Sequence, residues 1–120
     1  MIGQTVHLEH ESQMDAVTGV SGSGPAYVFH MIETLAEAAK KQGLSDELAM
    51  TLAKATVAGA GALALTATES PEQLRINVTS PNGTTQAGLE VLMDQKTGLA
   101  PLMEKTVLHA VERSRELSNG

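Results

Sequence analysis

The sequence predicts an all-α fold, a bundle of about five helices, and three observations favour it. Long proline-free stretches carry apolar side chains at the spacing of one helix face. Residues typical of helix starts precede these stretches, and glycine follows two of them. The one short alternating segment, Thr5–Glu9, has no partner strand with which to form a sheet. We therefore expect helices joined by short loops.

Individual residues mark where the helices begin and end. Ser23 is predicted to cap the first helix, with Pro25 in its first turn and Gly43 at its C-terminal end. Ser45 is predicted to cap the second helix, and Ser70 the third, where a proline follows. A short helical turn over residues 15–20 is expected to precede the first helix. The five predicted helices span residues 26–42, 46–68, 71–78, 84–96 and 100–117.

The composition predicts association between subunits. Aromatic residues make up 2% of the 120 residues, so the interior must be built from small and aliphatic side chains, each of which buries little area. Gly59 and Gly61 leave a bare patch within the second helix, where close packing of another helix would compensate for the low helix propensity of glycine. We expect a homo-oligomer. Residues 1–14 are interpreted as a linker and residues 15–120 as one helical domain.

Several classes of function are disfavoured. The net charge of −6 and the lack of a basic run argue against nucleic-acid binding. The absence of cysteine excludes disulfides and thiol chemistry. No apolar run reaches the roughly 18 residues of a membrane span, and the N-terminus lacks the apolar core of a signal peptide. A soluble, cytoplasmic protein without membrane contact is the expectation.

Two motifs that resemble known sites have simpler explanations. Residues 59–64 match the letters of a dinucleotide fingerprint, but they lie inside a helical pattern and no strand precedes them. His7 and His10 flank Glu9 in the predicted linker, without a fixed third metal ligand. Neither His30 nor His109 has an identifiable partner for acid–base catalysis. No metal site and no catalytic histidine are assigned.

The most polar stretch of the chain is VTSPNGTTQ, Val78–Gln86. Pro81 and the Asn82-Gly83 pair are turn formers, so the chain is expected to turn sharply before a new helix begins. The free N–H groups of that helix and the nearby hydroxyls would form a cradle for a carboxylate or phosphate. A plain turn with a helix cap is the alternative, and the residue pattern leaves both open. The glycine-rich SGSGP segment, residues 21–25, is likewise open between ligand contact and an ordinary helix start.

Four segments together resemble a known family. They are DAVTG at residues 15–19, SGSGPAY at residues 21–27, VTSPNGTT at residues 78–85 and AVERSREL at residues 110–117. Over about residues 2–117 the chain resembles the C-terminal domain of pyrroline-5-carboxylate reductase. The resemblance implies an interlocked homodimer and an enzyme that reduces 1-pyrroline-5-carboxylate to L-proline with NADPH or NADH, the last step of proline biosynthesis.

The resemblance also implies roles for particular residues. Ser80, Gly83, Thr84 and Thr85 would bind the substrate carboxylate, and Thr85 would place its hydroxyl near the ring nitrogen as the catalytic residue. Gly22, Ser23 and Pro25 would lie beside the nicotinamide. Asn82 replaces a glycine that is usual in the family, and asparagine is well suited to left-handed geometry.

The family's N-terminal Rossmann domain has no counterpart in this sequence, which shows no βαβ pattern. We therefore expect the dimerisation and substrate-binding part of the enzyme, inactive alone and without a bound cofactor. The alternative is an all-helical protein-interaction module without a small-molecule site, in which the glycine patch docks a partner helix.

Overall fold

A computed structural model describes residues 12–119, and all regular secondary structure in that range is helical. A five-residue π-helical segment, Thr18–Gly22, which we call the π turn, joins the first two helices. The all-α prediction is confirmed. The predicted linker and the possible strand at residues 5–9 lie outside the described residues, except for residues 12–14, which belong to α1. The α-helices are α1 (Ser12–Val17), α2 (Gly24–Lys41), α3 (Asp46–Thr66), α4 (Pro71–Asn77), α5 (Thr84–Leu92) and α6 (Leu99–Asn119).

Three of the predicted helix ends are found where expected. The Ser45 hydroxyl accepts the N–H of Leu48 at 3.2 Å, and the Ser70 hydroxyl accepts that of Gln73 at 3.1 Å. Each such cap contributes about 1 kcal/mol. Gly43 has a φ of 98° and ends α2. The N–H of the following residue, Leu44, returns to the Ala39 carbonyl, as in a Schellman motif.

The predicted cap at Ser23 is wrong. Ser23 has helical dihedral angles, φ −89° and ψ −18°, and its N–H donates to the Thr18 carbonyl at 2.9 Å. This hydrogen bond joins two residues five apart in sequence, as in a π-helix. The chain therefore passes from α1 into α2 through helical dihedral angles, and there is no extended residue at which a cap could form. Accordingly α2 begins at Gly24, before the predicted start at residue 26.

The helix that follows the polar stretch is also shorter than predicted, because α5 ends at Leu92 and not at Lys96. The Asp94 carboxylate accepts the N–H groups of Lys96 and Thr97, both at 2.8 Å. These bonds form a local turn that replaces the helical pattern. The backbone N–H of Thr97, then that of Lys96, lowers the pKa of Asp94 because both donate to its ionised form.

Gly98 closes this turn, and replacing it by alanine is expected to destabilise the protein by about 3 kcal/mol. A Cβ atom there would lie 2.4 Å from the carbonyl oxygens of both Asp94 and Leu92, which are backbone atoms that cannot move aside. Urea unfolding monitored by circular dichroism measures the change. Gly88→Ala is the control, since a Cβ at Gly88 in α5 meets nothing within 4 Å and alanine favours the helix. Equal stability of Gly98→Ala and the wild type would contradict the close contact.

The described residues divide into two compact units, residues 12–27 with residues 90–119, and Val28–Leu89. In the first unit, α1 and the π turn pack against α6. Gly19 is buried there, and a Cβ added to it would lie 2.7 Å from Cγ2 of Val111. The Ser114 hydroxyl donates to the Asp15 carboxylate at 2.7 Å. The absent side chain of Gly19 therefore lets the π turn approach α6.

The second unit has a small core formed between α2 and α3. Its buried residues are Ala36, Ala49 and Ala53, which Ile32 and Met50 partly cover. Alanine side chains bury little area, so this cluster by itself stabilises the unit weakly. Among the described residues, the only other buried hydrophobic side chain is Val111, in the first unit.

Much of the apolar surface of α3 is exposed in the single chain. Leu63 is 52% exposed and Leu65 is 75% exposed. By length and composition α3 is able to cross a membrane, and little of it is buried in the single chain. The sequence prediction missed this because Lys54 interrupts the apolar run, although α3 as a whole remains strongly apolar. An exposed apolar face of this size is typical of a surface that contacts a partner protein or a membrane.

Candidate active site

The polar stretch forms a tight turn followed directly by α5. The N–H of Gly83 donates to the Ser80 carbonyl at 3.1 Å, with Pro81 and Asn82 as the two central residues. Asn82 has a φ of 61°, the only positive φ of a non-glycine residue in the described part of the chain. Proline in second place and a positive φ in third place define a type II turn. The expectation that Asn82 adopts left-handed geometry is confirmed.

The first turn of α5 presents unused hydrogen-bond donors. The helical ladder begins with the N–H of Ala87, which donates to the Gly83 carbonyl at 3.2 Å. Within residues 12–119, the N–H groups of Thr84, Thr85 and Gln86 have no acceptor. The first turn of this nine-residue helix carries no acidic residue. Donors and helix dipole together favour an anion at this end of α5.

Hydroxyl groups surround these donors. The Thr79 hydroxyl is engaged, since it donates to the Arg75 carbonyl at 2.6 Å. The hydroxyls of Ser80, Thr84 and Thr85 make no hydrogen bond within the described residues, and all three residues are exposed. They can therefore bind a ligand without first breaking an internal bond. The structure thus brings Ser80, Gly83, Thr84 and Thr85 together in one turn, with an electrostatic preference for a carboxylate or phosphate.

Gln86 is a residue of this site that sequence reasoning missed. Its side-chain oxygen accepts the N–H of Asn82. A glutamine three residues after the helix N-cap, here Gly83, is the signal that was available, because it matches the second half of a capping box. Gln86 thus connects the first turn of α5 to the preceding type II turn.

The three residues predicted to lie beside a nicotinamide occupy the junction between the π turn and α2. Gly22 ends the π turn, Ser23 follows it, and Pro25 is the second residue of α2. Gly22 and Pro25 are exposed, and a Cβ at Gly24 would meet nothing within 4 Å. The hydroxyl of Tyr27, a residue of α2, donates to the Gly19 carbonyl at 2.9 Å and so links α2 to the π turn. This junction belongs to the first unit, whereas the type II turn belongs to the second.

Other candidate sites gain no support. Within residues 12–119, no group of three or more metal-ligating side chains is suitably placed to hold a metal ion. His30 lies on the exposed face of α2, with Nδ1 3.1 Å from the Glu33 carboxylate. Residues 59–64 are helical, as the simpler interpretation predicted. A Cβ at either Gly59 or Gly61 would meet nothing within 4 Å in this chain, so the glycine patch is bare.

Comparison with known proteins agrees with this architecture. A family model described as pyrroline-5-carboxylate reductase dimerisation matches residues 11–117. The chain belongs to this family. A pyrroline-5-carboxylate reductase of Pseudomonas aeruginosa is 44% identical over 117 residues, which cover 98% of this chain and 42% of that protein. One from Synechocystis is 47% identical over 116 residues, covering 97% and 42%.

Solved structures support the same relationship. A pyrroline-5-carboxylate reductase from Coxiella burnetii superimposes with a TM-score of 0.90 at 41% identity, covering 97% of this chain and 42% of that one. The Plasmodium falciparum enzyme, solved with NADP bound, gives a TM-score of 0.73 at 38% identity, covering 93% and 40%. The chain therefore spans about two fifths of the length of these relatives. The resemblance seen in the sequence motifs is confirmed.

Proposed function

We propose that this chain is the substrate-binding and dimerisation part of a reductase that converts 1-pyrroline-5-carboxylate into L-proline with NADPH or NADH. Relatives that match nearly the whole chain are named for this reaction. The observation that carries the proposal is the type II turn followed by unused N–H donors at the start of α5. That arrangement suits the carboxylate of a small imino acid.

In this proposal the substrate carboxylate binds the N–H groups of Thr84 and Thr85 and the hydroxyl of Ser80. Glycine at position 83 allows the close approach within this turn, since a Cβ there would lie 3.3 Å from the Ser80 carbonyl oxygen. Binding the carboxylate fixes the position of the ring, and this orientation is the main contribution that such a site makes to the rate. The Thr85 hydroxyl then lies near the ring nitrogen, to which it hydrogen-bonds and so orients the imine for reduction.

The cofactor would be held at the junction of the π turn and α2. Gly22, Ser23 and Pro25 are the residues proposed to contact it, and the exposed glycine backbone there permits a close approach. A bound nicotinamide supplies the hydride that reduces the imine carbon. The role of this chain is to orient the imine and to keep its carboxylate neutralised by N–H donors.

We also propose that the exposed apolar face of α3 is covered by a second copy of this chain, in a cytoplasmic homodimer. The family is a dimerisation family, and the single chain leaves Leu63 and Leu65 largely exposed. The bare patch at Gly59 and Gly61 allows a partner helix to approach closely. A covering subunit accounts for the high hydropathy of α3 without a membrane.

An activity assay tests the proposed reaction. The complete protein that carries this chain is expected to oxidise NADPH or NADH only when 1-pyrroline-5-carboxylate is present, with L-proline as the product. The 120-residue chain alone, assayed in parallel, is expected to be inactive because its matched relatives are more than twice as long. Absence of proline formation with either nucleotide, by protein that is folded by circular dichroism, would reject the proposal.

A further inference from the structure

We propose that Gln86 is a positioning residue that selects the substrate-binding form of the Ser80–Gly83 turn. This inference rests on the proposed function, because it concerns how the carboxylate site is kept open. Gln86 does not touch the substrate in this proposal. It acts through the peptide that joins Pro81 to Asn82, whose N–H its side chain accepts.

The Pro81–Asn82 peptide is the part of the turn that has two possible orientations. Type I and type II turns share the same end-to-end hydrogen bond, here Gly83 N–H to the Ser80 carbonyl at 3.1 Å, but differ by a flip of the central peptide. In the type I form the third residue has a negative φ, which any residue adopts easily. Asn82 instead has a φ of 61°, which is less favourable for a residue other than glycine. Some interaction must therefore favour the observed form.

The hydrogen bond to Gln86 supplies that interaction. A flip would remove the Asn82 N–H from the Gln86 oxygen and turn the Pro81 carbonyl to the same side. There the carbonyl would face the Gln86 oxygen, so the side-chain amide would have to turn over before its NH2 group could donate to that carbonyl. The same carbonyl would lie towards the first turn of α5, where the N–H groups of Thr84 and Thr85 are unused. It would then compete with the substrate carboxylate for those donors.

The chemistry of the glutamine side chain suits this task. Its amide oxygen accepts a hydrogen bond without adding negative charge beside an anion site. The first turn of α5 carries no acidic residue. Gln86 can therefore hold the turn while leaving the positive end of the helix dipole available to the substrate.

The test begins with Gln86→Met in the complete protein, which removes the acceptor and keeps the length of the side chain. We expect the KM for 1-pyrroline-5-carboxylate to rise about tenfold, as the lost bond and the left-handed Asn82 together allow the flip. The kcat and the KM for the nucleotide should stay within about twofold, because the chemistry and the cofactor contacts are unchanged. Gln86→Glu retains an acceptor oxygen for the Asn82 N–H but adds a negative charge beside the anion site, so it serves as the control for hydrogen exchange and not for the substrate KM.

A double-mutant cycle with Asn82→Gly separates this role from that of an ordinary helix cap. Glycine adopts the positive φ freely, so Gln86→Met in the Asn82→Gly background should raise the substrate KM less than about threefold. An ordinary cap would show the same loss in both backgrounds. An unchanged KM in Gln86→Met, or an equal loss in the two backgrounds, would overturn the inference.

Amide hydrogen exchange of the 120-residue chain, measured by NMR, gives a second readout that does not need activity. The Asn82 N–H is expected to exchange faster in Gln86→Met than in the wild type, and to be slowed again in Gln86→Glu. Equal exchange in the wild type and Gln86→Met would overturn the inference directly. Failure of the proposed function is distinguishable, since it appears as a wild-type protein that makes no proline.

Discussion

Thr85→Ala in the complete protein is expected to lower kcat/KM for 1-pyrroline-5-carboxylate by the equivalent of about 1 to 3 kcal/mol. Within residues 12–119 the Thr85 hydroxyl makes no hydrogen bond, so its removal should leave the fold intact while taking away the group proposed to lie nearest the ring nitrogen. Most of the effect should appear in kcat, because the donors proposed to bind the carboxylate are backbone N–H groups that alanine retains. Steady-state kinetics and far-ultraviolet circular dichroism together provide the measurement.

Two matched variants give this experiment its controls. Thr85→Ser keeps a hydroxyl and is expected to recover most of the activity. Thr84→Ala removes a neighbouring hydroxyl, also unbonded within the described residues, from a residue proposed to act only through its backbone. It should therefore lose much less activity than Thr85→Ala. Wild-type kcat/KM in Thr85→Ala would contradict the assignment of Thr85 as the catalytic residue.

Leu63→Glu is expected to convert the protein from dimer to monomer at micromolar concentration. Leu63 is 52% exposed in the single chain and lies beside the bare glycine patch of α3. In a two-fold symmetric dimer each substitution acts twice, so the lost apolar burial and the buried charges weaken association by about 4 kcal/mol or more. Sedimentation velocity measures the change in mass.

The matched control for this variant is Ser118→Glu, which adds the same charge at the exposed end of α6 and should leave the dimer unchanged. A further readout is the midpoint of thermal unfolding, which should rise with protein concentration in the wild type because only the folded state associates. A wild-type chain that sediments as a monomer at micromolar concentration would overturn the homodimer proposal.

The turns of the chain show where sequence reasoning succeeds. Ser45, Ser70 and Gly43 were predicted correctly, because a cap depends on the residues within the adjoining helical turn. The left-handed Asn82 was predicted for the same reason. The early end of α5 was missed although its cause is also local, since the Asp94 carboxylate competes for N–H groups within a pattern that otherwise reads as helical.

Long-range contacts account for the prediction that failed at Ser23. A serine before a proline normally indicates a helix start, but here α1 and the π turn pack against α6. Asp15 and Ser114, which form one of these contacts, are 99 residues apart in sequence. No local pattern reports such a contact. The need for glycine at position 19 is likewise evident only from the structure, in which a Cβ there would clash with Val111.

Local chemistry therefore decided the helices, most of their ends and the tight turn before α5, because each depends on neighbours within about four residues. The tertiary structure decided that the chain passes through a π turn into α2, where α1 and the π turn pack against α6. It also showed that the single chain buries no large side chain completely among the described residues. Burial is a property of packed surfaces, so the sequence pattern indicated which face of α3 is apolar but not how little of it this chain covers by itself.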